Sequence, residues 1–169
     1  MNRIRTGQVE WWCRRGFESL LRDLPWERLR HPRELPPERV AKDNRHRTVA
    51  RLDHPEDPDL PGFYVKRHKF ARTGDRVKHL LAPWRLRREW TMGRRLRAEG
   101  VPTAEPLAHG ERWRGLLPRE AFYITREIPG VASLKKRLQQ RRQGAIDEVL
   151  ECAARLTALL AEHNLYHLD

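Results

Sequence analysis

The 169-residue chain predicts an α+β fold in which an antiparallel sheet is built first and helices follow. Three observations predict it. Runs rich in β-branched and aromatic residues, bounded by turn residues, recur through the first two thirds, as in Thr48-Val49-Ala50-Arg51-Leu52 and Phe63-Tyr64-Val65-Lys66-Arg67. An Arg-rich segment with helical patterning, Trp84 to Glu99, stands between two such groups of strands. Near the end, Ile146, Val149, Leu150, Ala153, Leu156 and Leu160 recur at spacings of three and four, the mark of a long amphipathic helix.

In chain order, the apolar residues Val9, Trp12, Phe17, Leu20, Leu21 and Leu24 fall at roughly helical spacing and predict an amphipathic helix over Gly7 to Leu24. Pro25, Pro32, Pro36 and Pro37 forbid a long helix over residues 25 to 46 and predict an irregular connection with one short edge strand. Thr48–Leu52 and Phe63–Arg67 then form a hairpin around the acidic, proline-rich loop Asp53 to Gly62. The helix from Trp84 ends at Gly100, a C-cap position with Pro102 just beyond. Pro106–His109 and Ala121–Thr125 make a second strand pair around turn-rich Gly110 to Pro118. Ser133 is a plausible N-cap for a short helix ending near Gly144, ahead of the final helix.

Composition narrows the function classes. With 35 Lys+Arg against 23 Asp+Glu, the net charge is +12, and anionic partners are attracted over long range. Nucleic acid, anionic lipid headgroups and phosphorylated substrates all qualify, as does a solvated basic surface with no dedicated partner. No stretch approaches the roughly 18 apolar residues of a membrane-spanning helix. Arg3 and Arg5 are followed by Gln8-Val9-Glu10 rather than an apolar run, so no secretory leader is expected. Cys13 and Cys152, far apart, fit a reducing cytosol and no zinc site.

Three positions carry chemistry. Lys66 alternates with Phe63 and Val65 and shares its strand face with Tyr64 and His68, from which it either projects into a cleft or lies solvated at an edge. Glu89 interrupts the helical stripe Leu86, Glu89, Gly93, Leu96. A carboxylate there needs a cation, supplied by a neighbouring element or by the local Arg85, Arg88 and Arg95. His167-Leu168-Asp169 follows the long helix; alone, the triplet is equally a structural histidine and a surface aspartate.

A strand lysine, a carboxylate on the next helix and His-x-Asp after a long helix follow one another in the order used by protein-kinase-like folds. With Arg88-Glu89-Trp90, Leu96 to Pro106, Thr125-Arg126-Glu127-Ile128-Pro129-Gly130 and Ser133-Leu134, the sequence over residues 45 to 169 resembles the lipopolysaccharide kinases of the Kdo/heptose kinase group. The resemblance implies a protein-kinase-like N-terminal lobe over residues 1–127, with an antiparallel sheet, one regulatory-type helix and an N-terminal helical extension. Residues 128–169 would hold the hinge and the first helices of an incomplete C-terminal lobe.

It implies that Lys66 holds the ATP phosphates and Glu89 fixes Lys66. Thr125, Arg126, Glu127 and Ile128 would be the hinge, contacting adenine through their backbone. Asp169 would be the catalytic aspartate, with His167 structural beside it. The acceptor would be a sugar hydroxyl of the lipopolysaccharide inner core, an anionic glycolipid, reached by a cytoplasmic protein in peripheral contact with the inner membrane. Mg²⁺ would be required, its asparagine and aspartate ligands falling past Asp169 and none within this chain, so residues 1–169 alone are expected to be inactive. No Gly-x-Gly-x-x-Gly precedes Lys66; Lys42-Asp43-Asn44-Arg45-His46-Arg47 takes its place, and Tyr64 stands where a small residue is usual. A non-catalytic kinase-like remnant and a basic nucleic-acid-binding module are the other readings, the latter without a helix-turn-helix, zinc or RNA-binding aromatic motif.

Overall fold

The computed structural model describes residues 1–24, 28, 31–81, 85–130 and 143–163. Seven strands form one antiparallel sheet: β1 (Asn2–Thr6), β2 (Val9–Cys13), β3 (Val40–Asp43), β4 (Arg47–Leu52), β5 (Phe63–Lys69), β6 (Pro106–Arg114) and β7 (Leu117–Arg126). Their spatial order is β1-β2-β6-β7-β5-β4-β3. Among the described residues four α-helices accompany them: α1 (Glu18–Asp23), α2 (Thr73–Leu81), α3 (Arg85–Ala98) and α4 (Gln143–Glu162). The chain divides into two compact units, Met1–Arg94 with Ala104–Glu127 and Arg95–Thr103 with Ile128–Asp169. No described helix is long and apolar enough to cross a membrane.

In the first unit the alternation of each strand splits its side chains between two apolar clusters. One face buries Val9, Trp11, Cys13, Ala50, Leu52, Phe63, Val65, Phe122 and Ile124, closed by Phe17, Leu21 and Leu24 of and around α1. The opposite face carries a smaller cluster, Phe70, Ala121 and Tyr123 with Leu86 and Trp90 of α3. Lys66 belongs to this second face, because β5 buries Phe63, Val65 and Arg67 on the first.

The β4–β5 hairpin, the short edge strand β3 and helix α3 form where the sequence predicts them. Four features differ. The helix predicted over Gly7 to Leu24 is instead the β1–β2 hairpin followed by the short α1. Val9, Trp11 and Cys13 bury at every second position, and pairing of β2 with β6 satisfies the backbone while covering all three. The second strand pair runs on through the stretch predicted as a turn, leaving only Gly115 and Leu116 between β6 and β7. Helix α2, which packs on β7, has no counterpart in the sequence reading. Helix α4 begins at Gln143, so Gly144 lies inside it rather than ending a preceding helix; Ser133 lies outside the described residues.

In the second unit the C-terminus of α3 closes as the Gly100 signal requires. Gly100 (φ +75°) lets its own N–H reach the Arg97 carbonyl at 3.1 Å, while the Val101 N–H reaches Leu96 at 2.8 Å. Val101 is buried there. The stripe on α4 is only partly covered: Ile146 and Val149 are half-buried, while Leu150 and Leu156 are exposed. His163 at its end pairs with Glu99 at 3.2 Å.

Charged residues inside β6 and β7 are paired across the sheet. The buried Glu120 carboxylate bridges Arg67 on β5 and Arg112 on β6, the latter at 2.6 Å. Burial pushes its pKa up, but the hydrogen bonds and charges of the two arginines outweigh burial, and the net shift is down from 4.5. A depressed carboxylate stabilises the fold above its ordinary pKa and loses that contribution as pH falls through the depressed value. Glu120→Gln is therefore expected to cost about 2 kcal/mol near neutral pH. In acid the gap from wild type should narrow, which urea midpoints across a pH series measure.

Candidate functional site

Lys66 and Glu89 are brought together by packing rather than by sequence proximity. The Lys66 Nζ donates to Glu89 Oε2 at 2.7 Å, across a separation of 23 residues. Their side chains are 28% and 25% exposed, so the pair is sheltered yet open on one side. A charge-assisted hydrogen bond of this kind holds the flexible ammonium in one place while leaving its other donors for a second anion.

Each partner is positioned by its element. In the β5 ladder Lys66 lies opposite Val49 of β4 and Tyr123 of β7, and its ammonium sits 5.3 Å from the Tyr123 ring centre. Burial first, and then the Glu89 charge, raise the Tyr123 phenol well above its ordinary pKa of 10.0, so the ring stays neutral beneath the cation. On α3, Leu86, Trp90 and Gly93 face the sheet on either side of Glu89. A Cβ at Gly93 would stand 3.0 Å from the Tyr123 hydroxyl and 3.5 Å from Pro106. The missing side chain lets the helix lie close enough for Glu89 to span to Lys66.

Behind the pair, Trp90 stacks on His109 at 5.3 Å and 13°, and Trp12 meets the same ring edge-on at 4.9 Å. Burial, aided by the charge of Arg87, pushes His109 down to about 4, so it is a neutral ring at physiological pH. This aromatic wall was not singled out in the sequence. The signal available was the third residue of the Arg88-Glu89-Trp90 triplet.

The stretch Thr125 to Ile128 ends β7 and crosses into the second unit. Thr125 is buried, opposite Tyr64. Arg126 donates from its backbone to the Glu105 carbonyl and from Nε to the Glu105 carboxylate at 2.7 Å. Glu127 accepts from Arg51 at 2.7 Å and from the Gly62 N–H at 3.0 Å, and its own N–H donates back to Gly62. The Arg51 hydrogen bond first of all lowers the Glu127 pKa. Arg126 and Glu127 thus brace the end of the sheet through their side chains, and their N–H groups are already engaged. Ile128 is exposed.

The segment before β4 is a basic hairpin turn. Asn44 Oδ1 accepts from the His46 and Arg47 N–H groups at 3.0 and 2.8 Å, a side-chain turn that leaves Arg45 and His46 exposed. Asp43 at its base binds Lys69 at 2.9 Å and Thr48 at 2.7 Å. Arg47 shares the sheet face of Val49 and thus of Lys66, and its buried Nε has no hydrogen-bond partner among the described residues. His167 and Asp169 lie outside the described residues.

Comparison with known proteins adds three findings. The family model "Lipopolysaccharide kinase (Kdo/WaaP) family" matches residues 33–169. No curated protein matches the chain. Among solved structures the chain is similar to one titled "WaaP in complex with acyl carrier protein", at 26% identity and a TM-score of 0.47. That match covers 79% of this chain and 46% of the other, so the chain spans about half the length of that relative.

Proposed function

The chain belongs to the lipopolysaccharide kinase (Kdo/WaaP) family, and from that premise we propose that it binds ATP on the Lys66 face of its sheet and serves phosphoryl transfer to a sugar hydroxyl of the lipopolysaccharide inner core. The observation that carries this reading is the 2.7 Å Lys66–Glu89 pair. Phosphoryl transfer is dominated by positioning and by meeting phosphate charge, and a held ammonium beside an open side does both.

In this reading the first unit is the kinase-like N-terminal lobe. Lys66 meets the α- and β-phosphates, and Glu89 keeps its ammonium from swinging into water. Arg47, on the same face, supplies phosphate contact in place of a glycine-rich loop. Adenine contact along Thr125 to Ile128 falls to groups other than the engaged N–H of Arg126 and Glu127. Asp169 accepts the proton of the acceptor hydroxyl, and His167 braces it. Mg²⁺ accompanying the nucleotide supplies neutralisation of phosphate charge. No three His, Cys, Asp or Glu among the described residues could hold a metal ion. The net charge of +12 suits an anionic glycolipid met at the cytoplasmic face of the inner membrane.

Isothermal titration with ATP, ADP and adenosine tests the nucleotide site. Saturable binding of ATP and ADP, with adenosine at least about tenfold weaker for want of phosphates, is the expected result. Equal binding of all three, or none, overturns the phosphate role of Lys66. Nucleotide binding without transfer to dephosphorylated core glycolipid favours the non-catalytic remnant. DNA binding that survives Lys66→Ala and Glu89→Ala favours the nucleic-acid module.

A further inference from the structure

The tip of the β6–β7 hairpin carries residues that its folding does not use. Its two-residue loop is Gly115-Leu116, with Gly115 at φ +61° meeting the backbone demand of a tight hairpin turn. The second position of such a loop favours small polar residues, yet Leu116 stands there 88% exposed. Trp113, beside it, is 37% exposed, and its indole N–H donates to Glu111 at 3.2 Å. The register shifts between Arg112 and Trp113, opposite Arg119, and a bulge of this kind re-aims neighbouring side chains.

Around this apolar tip the arginines outnumber the carboxylates Glu111 and Glu120. Arg119 lies close enough to Arg76 of α2, Arg114 and Arg112 for all three to depress its pKa, after burial. The Arg119 Nε is buried with no hydrogen-bond partner among the described residues. Arg112 is neutralised by Glu120. Among the described residues no carboxylate pairs with Arg76, Arg114 or Arg119. Among the described residues Arg76 donates to the Phe70 and Ala71 carbonyls.

We propose that this hairpin tip docks on an anionic lipid bilayer, with Leu116 and Trp113 entering the headgroup boundary and Arg76, Arg114 and Arg119 meeting lipid phosphates. A leucine and a tryptophan ringed by arginines match that boundary in both its apolar and its anionic character. An acidic soluble partner would satisfy the arginines but would need an apolar pocket as well to take up Leu116. The inference uses residues of the hairpin and α2 alone and does not depend on phosphoryl transfer.

The test uses phosphatidylcholine vesicles with and without phosphatidylglycerol. Leu116→Cys in a Cys152→Ser background places one reactive thiol at the tip, since Cys13 is buried. An environment-sensitive dye on that thiol should brighten and shift to the blue with phosphatidylglycerol vesicles only, and revert at high salt. In flotation, Leu116→Ser should lower the partition coefficient about tenfold, and Arg114→Glu, changing the local charge by two, about thirtyfold. ATP binding should be unchanged in both variants, which separates this surface from the Lys66 site. Absence of binding to anionic vesicles, or binding with the dye still reporting water, overturns the proposal.

Discussion

On the proposed function, Lys66→Met in a form extending past Asp169 is expected to lower kcat/KM for phosphoryl transfer by about 10²–10³-fold while leaving thermal unfolding close to wild type. Methionine keeps the length and apolar stem of lysine, so the packing of β5 survives; what disappears is the ammonium that Glu89 holds at 2.7 Å. Because the pair is about a quarter exposed on each side, its loss weighs little on stability and heavily on phosphate charge. Glu89→Gln should produce a smaller loss, since the amide still accepts one hydrogen bond but no longer anchors the ammonium by charge. Steady-state assays with labelled ATP, alongside melting curves, measure both quantities. A Lys66→Met protein retaining wild-type kcat/KM removes the lysine from its assigned role.

The largest effect on stability is expected at Trp11. Its ring is fully buried, 5.5 Å from Phe122, with its N–H donated to Thr6 at 2.7 Å. Trp11→Ala should cost about 3–5 kcal/mol, a large part of the roughly 5–15 kcal/mol typical of a whole domain. The facing position is Gly110, where a Cβ would lie 2.4 to 2.7 Å from three atoms of the Trp11 ring. Gly110→Ala should therefore cost about 2–3 kcal/mol by overpacking. The two positions share one volume, so combining Gly110→Ala with Trp11→Leu should cost less than the sum of the single changes. Urea denaturation of the four proteins in that cycle measures the coupling, and strict additivity would show that Gly110 and Trp11 do not constrain each other.

Legibility in the sequence followed how local each signal was. Strands β4 and β5 announce themselves by β-branched residues between turn-forming ones, and α3 by a helical stripe closed at Gly100; these signals are complete within a dozen residues or so. The β1–β2 hairpin was missed because Val9, Trp12, Phe17, Leu20, Leu21 and Leu24 fall near a helical period while Val9, Trp11 and Cys13 fit a period of two. Pairing with β6, some hundred residues away in the chain, decides between them. The full lengths of β6 and β7 were missed because Arg112 and Glu120 look like loop residues until they pair across the sheet. Of the site, Lys66 and Glu89 stood out as a cation on a strand and an acid in an apolar stripe. The aromatic wall of Trp12, His109 and Trp90 did not, since it draws one ring from each of three elements.

By itself the sequence determined which chemistry is on offer: a strand cation, a helix carboxylate, a surplus of positive charge, and the order in which they come. Whether those groups meet was decided only by tertiary structure. Side chains from two elements come within hydrogen-bonding distance only when backbone approach, helix rotation and strand register agree, and here the bare face of Gly93 against Tyr123 sets that approach. Such a fit is a property of surfaces packed together, and no stretch of chain contains it alone.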